Sequence, residues 1–158
     1  MQLNGKTVIV TGGSDGIGRH ICLKLAAEGC NLAILGRNAE RLAKVADEAR
    51  SLGASQVRSY GADMTDPAAI ASAAKAVLAD FGGVDILINN AGIWHKAGPL
   101  DSISEDMLMA TVQTNLTGLM QLTRHLLPTL RTRDEAAILN VASKSGVIAQ
   151  AGQSVYTA

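Results

Sequence analysis

Aromatic residues are scarce in this chain, at 3% of 158 residues, against a hydrophobic share of 47% and 16 glycines. A core built on large rings is excluded, and small side chains instead let layers of helix and sheet approach closely. An excess of one charge is missing too. Fourteen basic and fourteen acidic residues cancel, with no run of either sign. The electrostatic footprint of a nucleic-acid or acidic-membrane binder is therefore absent. No apolar stretch nears the roughly 18 residues that span a bilayer, so no membrane role is expected. Met1-Gln2-Leu3-Asn4-Gly5-Lys6 shows no signal-peptide pattern before the first strand. The only cysteines, Cys22 and Cys30, lie outside any CxxC pattern. They are read as buried thiols, which suits a reducing, cytoplasmic setting. His20, His95 and His125 have no metal-ligand spacing, and no metal site is expected.

What is present is an alternation of short apolar runs with longer helical patterns, the signature of βαβ units and a parallel sheet. The runs are Thr7–Val10, Leu32–Leu35, Val57–Tyr60, Ile86–Ile88 and Ile138–Val141. They are nearly continuous, as expected of strands covered on both faces. Between them the period becomes 3.6. Ile17, Ile21 and Leu25 mark one helix face, ending at Gly29, and Leu42, Val45, Ala46 and Ala49 mark the next. Asp66 reads as an N-cap with Pro67 at the first helical position, followed by Ile70, Ala74, Val77 and Phe81. A long helix over about 104–130 carries Leu108, Val112, Leu116, Leu119, Leu122 and Leu126, with Pro128 expected to disturb its last turn. The expected fold class is α/β: one doubly wound, Rossmann-type parallel sheet domain over residues 1–158, with right-handed crossovers.

Thr11-Gly12-Gly13-Ser14-Asp15-Gly16-Ile17-Gly18 leaves the first strand and opens the first helix. Gly12 permits a sharp turn, Gly16 lets backbone approach a pyrophosphate, and Gly18 permits close helix packing. The helix N-terminus then offers unpaired N–H groups and a positive dipole end to the anion. The end of the second strand decides between dinucleotides. NAD binders usually carry an acidic residue there, whereas a 2′-phosphate needs positive charge. This chain has Gly36-Arg37-Asn38, with no carboxylate. Arg37 offers a bidentate fork for phosphate, with Ser14 and Arg19 as reinforcement. NADP(H) is the expected cofactor in preference to NAD(H). The same position argues against an S-adenosylmethionine-dependent methyltransferase, which usually wants an acid there.

With its T-G-x-x-x-G-x-G spacing the turn resembles that of the short-chain dehydrogenase/reductase family, and four further segments agree in order. Asp63, after the third strand, is similar to the family's adenine-contacting aspartate. Asn89-Asn90-Ala91-Gly92 resembles its N-N-A-G motif, which supports the sheet beside the nicotinamide ribose. Asn115 resembles its helix asparagine, and Ser143 precedes Tyr156 by the family's thirteen residues. The resemblance covers nearly the whole chain. It implies a cofactor site made of Gly12, Ser14, Asp15, Gly16, Ile17, Gly18, Arg37, Asp63, Met64, Asn90, Ala91 and Gly92. The implied catalytic set is Asn115, Ser143 and Tyr156, with Ser145 as a competing serine. Trp94 is read as a packing or pocket-wall residue, and His95 and Lys96 as solvated loop residues.

By that resemblance the chain is an oxidoreductase acting on a small carbonyl or alcohol substrate. Tyr156 handles the proton and Ser143 polarises the carbonyl. A tyrosine ordinarily titrates near ~10, and in the family a lysine four residues later lowers that value, with Asn115 holding a water for proton relay. The sequence ends two residues before that position. The expectation is a C-terminally incomplete domain, inactive as it stands, whose full-length parent forms a homodimer or homotetramer. The alternative is a non-catalytic nucleotide-binding module or regulator.

Overall fold

The computed structural model describes residues 1–158. Five strands, β1 (Thr7–Thr11), β2 (Asn31–Gly36), β3 (Val57–Gly61), β4 (Ile86–Asn89) and β5 (Ala137–Asn140), form one sheet in the order β3-β2-β1-β4-β5. All pairings are parallel, with Val10 beside both Ile34 and Ile88. The strand order reverses at β1, so the chain winds outward to β3 and then returns to lay β4 and β5 on the other side. The ends of β1 and β4 meet at that switch point, where open α/β sheets bind ligands.

The helices are α1 (Gly16–Ala27), α2 (Ala39–Ser51), α3 (Pro67–Phe81), α4 (Glu105–Val112), α5 (Gly118–Leu130) and a short α6 (Ser154–Thr157). Two cores result. On one face Val8, Val10, Ile34 and Ile88 pack with Cys22 and Ala26 of α1 and Leu42, Val45 and Ala49 of α2. On the other, Ile9, Leu35 and Leu87 pack with Ile70, Ala74 and Val77 of α3 and Leu122 and Leu126 of α5. The expected N-cap of α3 is present: Asp66 accepts from the Ala68 and Ala69 N–H groups, with Pro67 behind it. No helix is long and apolar enough to cross a membrane.

Three expectations need correction. The α1 face that is buried is Gly18, Cys22 and Ala26, whereas Ile17 is 66% exposed and Ile21 and Leu25 are only partly covered. Double coverage holds for β1, β2 and β4 but not for the outer strands: in β3 only Val57 is buried, and β5 is exposed along its length. Finally, the 104–130 helix is not uniform. A π turn over Gln113–Thr117 separates α4 from α5, and a π turn adds a residue to the local repeat and rotates the following face. Leu116 thereby turns outward, and Thr111, Thr114, Gly118, Leu122, Leu126 and Leu130 form the buried line. Pro128 lies inside α5, which continues to Leu130.

Gly118 is where the long helix meets the segment that follows β3. A Cβ there would collide with the Met64 carbonyl oxygen and come within 2.9 Å of the Gln113 carbonyl. Neither atom can move without shifting backbone, so Gly118→Ala is expected to cost about 1–3 kcal/mol, as overpacking does. Gly61→Ala is the control, since nothing lies within 4 Å of that Cβ and its φ is not positive. Denaturant unfolding should show a lower midpoint for the Gly118 variant and a change within about 0.5 kcal/mol for the Gly61 variant.

Candidate active site

The turn that follows β1 is built from both ends of the switch point. The Thr11 hydroxyl accepts from the N–H groups of Asn90 and Ala91, each at 2.9 Å, and donates to the Ile88 carbonyl at 3.4 Å. The Asn90 amide nitrogen donates back to the carbonyls of Thr11 at 2.9 Å and Gly12 at 3.3 Å. Turn and β4 extension are thus one hydrogen-bonded unit.

Within it the glycines divide the work differently from the sequence expectation. Gly12 has φ +64° and Gly16 φ +51°, a region other residues rarely adopt. Gly16 has open space where its Cβ would stand, so its backbone faces the cleft unobstructed. Gly18 does not serve contact with the sheet. A Cβ there would strike the Gly12 carbonyl, so this glycine lets α1 start directly beneath the turn. Contact with the core is made by Gly13, whose Cβ would meet Ile34 and Cys22. Its need to be glycine was not visible in the motif spacing, because only the sheet behind it imposes the limit.

A cleft of about 530 Å³ opens over this unit. It is lined by Gly12, Ser14, Asp15, Gly16, Ile17 and Gly18 of the turn, by Arg37, by Asp63 and Met64, and by Asn90, Ala91 and Gly92. Every residue expected around a dinucleotide is therefore gathered in one place. Asn38, Arg41, Ile93 and Thr114 also line it and were not foreseen. Arg41 lies on α2 and pairs with Asp15 at 3.0 Å. Arg19, expected to support Arg37, instead forms an ion pair with Glu48 of α2 and does not reach the cleft. A single turn of α1 beyond the glycines points it toward the neighbouring helix.

Two carboxylates hold the rim. Asp15 caps α1 by accepting from the Gly16 N–H at 2.7 Å. Asp63 accepts from the Thr65 N–H and hydroxyl, each at 2.9 Å, and stands 4.0 Å from Arg37. The Thr65 N–H holds the Asp63 carboxyl below its ordinary value against partial desolvation, with help from the Thr65 hydroxyl and Arg37. Cys22 and Cys30 are buried and unbridged, and burial pushes the Cys22 thiol up to about 12.

Asn115 sits in the π turn, and its side chain is spent on backbone. Its Oδ1 accepts from the Ile93 N–H and its Nδ2 donates to the Ile93 carbonyl, each at 2.8 Å. This pins the segment leaving Gly92. Asn89 secures the other side of the motif, donating to Thr123 of α5 and to Asn140 of β5. Ser143 and Tyr156 lie outside the cleft lining. Ser143 heads a 3₁₀ turn, Lys144–Gly146, by accepting from the Ser145 N–H at 3.1 Å. That turn packs against α6, which carries Tyr156. Ser145, the rival serine, is buried beneath it. Trp94 is 62% exposed and forms no packed wall, and His95, read as solvated, is buried. The Gly98 N–H donates to the Gly152 carbonyl at 3.0 Å, which joins the loop carrying His95 to the segment before α6.

Comparison with known proteins agrees with this geometry. A family model described as short chain dehydrogenase matches residues 6–158. D-beta-hydroxybutyrate dehydrogenase of Cupriavidus necator is 40% identical over 157 residues, which are 99% of this chain and 60% of that protein. Among solved structures, an NAD+-bound xylitol dehydrogenase superposes with TM-score 0.92 at 32% identity, over 99% of this chain and 60% of its own. A short chain dehydrogenase from Burkholderia cenocepacia in complex with NADP gives TM-score 0.91 at 36% identity, over 99% and 63%. The chain thus spans about 60% of the length of these relatives. With its sheet order, its glycine turn and its Asn89–Gly92 segment in place, the chain belongs to the short-chain dehydrogenase family.

Proposed function

We propose that this chain is the cofactor-binding part of an NADP(H)-dependent oxidoreductase that interconverts a carbonyl and an alcohol. The observation that carries this reading is the cleft itself. One continuous surface joins the glycine turn, the β2 end with two guanidinium groups, Asp63 and the Asn90–Gly92 backbone. Its size lies within the range of small-molecule sites. The positive φ of Gly12 and Gly16 and the α1 N-terminus fit a pyrophosphate. Solved relatives carry NAD+ in one case and NADP in another, so the preference rests on this chain's own residues.

Arg37 and Arg41 supply the charge that a 2′-phosphate needs, and no carboxylate stands at the end of β2. Their pairings with Asp63 and Asp15 are exposed. Exposed pairs are weak, so both guanidiniums exchange readily to a phosphate. Asp63, held ionised, offers its carboxylate to the adenine amine. Asn90, Ala91 and Gly92 border the ribose and nicotinamide end.

When bound, the nicotinamide supplies or takes the hydride. In the reducing direction Tyr156 gives its hydroxyl proton to the carbonyl oxygen as the carbon accepts the hydride, leaving alcohol and oxidised cofactor. Ser143 donates a hydrogen bond to that oxygen. Asn115 is the residue placed to hold the relay water, its side chain making one bond at each polar atom to Ile93 and keeping a further acceptor and donor site. The family's lysine position falls beyond Ala158. Met109, Leu116 and Met120 are exposed along the outer side of the long helix, which supports assembly of the whole protein as a homo-oligomer through that face. The balanced charge argues against a nucleic-acid or acidic-membrane partner, and the two free, buried cysteines suit a reducing cytoplasm.

The cofactor assignment is tested by Arg37→Ala in the full-length protein. A charge-assisted contact to phosphate is worth roughly 1.5–3 kcal/mol, so KM for NADPH should rise about ten- to a hundredfold. KM for NADH should hardly move, and Arg41→Ala should act in the same direction. Equal losses with both cofactors would overturn the preference. For the chemistry, Tyr156→Phe should nearly abolish turnover with cofactor affinity kept within a few-fold. Ser143→Ala should cost on the order of 10²–10³ in kcat, and a silent Ser143→Ala beside a damaging Ser145→Ala would transfer the role to Ser145.

A pH series tests Asp63. Its folded value is depressed, so the stability it contributes is present above the ordinary carboxylate range, near ~4. That contribution is lost as pH falls further, through the folded value. Asp63→Asn should therefore be less stable than the parent at neutral pH, with the gap closing only below about pH 4. A gap that is already gone at pH 5 in urea unfolding would show that the carboxylate is not held by Thr65 and Arg37.

A further inference from the structure

Asp15 touches two groups that the reading above offers to the cofactor's phosphates, the α1 N-terminus and Arg41. Its Oδ1 accepts from the Gly16 N–H at 2.7 Å, at the positive end of α1. Its Oδ2 accepts from the Arg41 guanidinium at 3.0 Å. One carboxylate thus spans a backbone N–H of the turn and a cation on α2, the pair of donors that binds phosphate oxygens elsewhere in proteins.

The two acids of the rim are anchored differently. Asp63 is tied to the N–H and hydroxyl of Thr65, each at 2.9 Å, and Thr65 does not line the cleft. A ligand can therefore enter without loosening it. Asp15 has no such tie. Both of its partners line the cleft, and its side chain is 73% exposed. Arg41 in turn has a use for an anion. It stands in the first turn of α2, where the helix dipole disfavours a cation. The charged residues of the cleft lining are Asp15, Arg37, Arg41 and Asp63, which cancel. Without Asp15 the lining would be positive.

We propose that Asp15 is a cofactor-specificity residue whose carboxylate stands in for a phosphate in the free protein. NADP(H) displaces it from Arg41, because a 2′-phosphate brings more charge and more acceptor oxygens than a carboxylate. NAD(H) has no 2′-phosphate to offer Arg41, so the carboxylate weakens the binding of NADP(H) more than that of NAD(H). This rests on the NADP(H) reading above. It goes beyond a capping role for Asp15, since Asn and Ser cap helices as well as Asp does.

The full-length protein and its Asp15→Asn variant are titrated by calorimetry with NADPH, NADH and adenosine 2′,5′-bisphosphate at low and high NaCl. The Asn side chain keeps an acceptor for the Gly16 N–H and drops the charge. At low salt Asp15→Asn should bind NADPH and the bisphosphate about three- to tenfold tighter, the scale of an exposed contact with a doubly charged group. The gain should shrink at high salt, and NADH should gain less than about twofold. Asp15→Glu keeps the charge and should show no gain. In an Arg41→Ala background most of the Asp15→Asn gain should vanish, since the two residues act on one contact. A poorly folded variant cannot imitate a gain in affinity, and Asp15→Ser serves as a second capping variant if the first is unstable. Unchanged or weaker NADPH binding by the Asn and Ser variants would overturn the role of Asp15. So would an equal gain for NADH, or the same gain with and without Arg41. A parent protein that prefers NADH, with Asp15→Asn still tightening NADPH alone, would support the role of Asp15 and overturn the NADP(H) preference.

Discussion

The hydroxyl of Thr11 holds together the two strand ends on which the site depends. It is fully buried, accepts from the N–H groups of Asn90 and Ala91, and reaches the Ile88 carbonyl. In a low-dielectric interior a hydroxyl with three partners fixes position more firmly than the same contacts would in water. The Asn90 amide answers it by donating to the Thr11 and Gly12 carbonyls. Turn, α1 N-terminus and the Asn90–Gly92 backbone are therefore placed relative to one another by side-chain bonds across nearly eighty residues of sequence.

Around that clamp the charges of the cleft come as neighbours of opposite sign. Asp15 serves both the α1 N-terminus and Arg41, and Asp63 serves both Thr65 and Arg37. The arrangement keeps the rim close to neutral without a ligand and holds each guanidinium over the cleft on a weak tether. Arg19, paired with Glu48 in a part-buried contact, is by contrast held away from the cleft.

The π turn links this cleft to the segment leading from Gly92. By adding a residue to the helix it aims the Asn115 amide at Ile93 and swings Leu116 outward. Gly118 then lets the helix resume against the Met64 carbonyl. The same helix thus braces both sides of the cleft, through Met64 on the β3 side and Ile93 on the β4 side.

Strand positions, the α2 and α3 faces and the Asp66 cap were legible in the sequence, because each depends on local periodicity or on a fixed spacing within one turn, and the twelve residues of the expected cofactor set line one cleft. What lay beyond it were contacts made across the sheet. The demand for glycine at Gly13 comes from Ile34, a strand away, and the demand at Gly118 from Met64. The direction of Arg19 is set by Glu48, and the presence of Arg41 in the cleft by Asp15. His95 reads as a solvated loop residue in the sequence and is buried in the structure. Spacing along one chain determined which elements form and which residues carry the binding turn. Only the tertiary structure decided which side chains face one another, because steric limits and charge pairing act between segments that the sequence sets far apart.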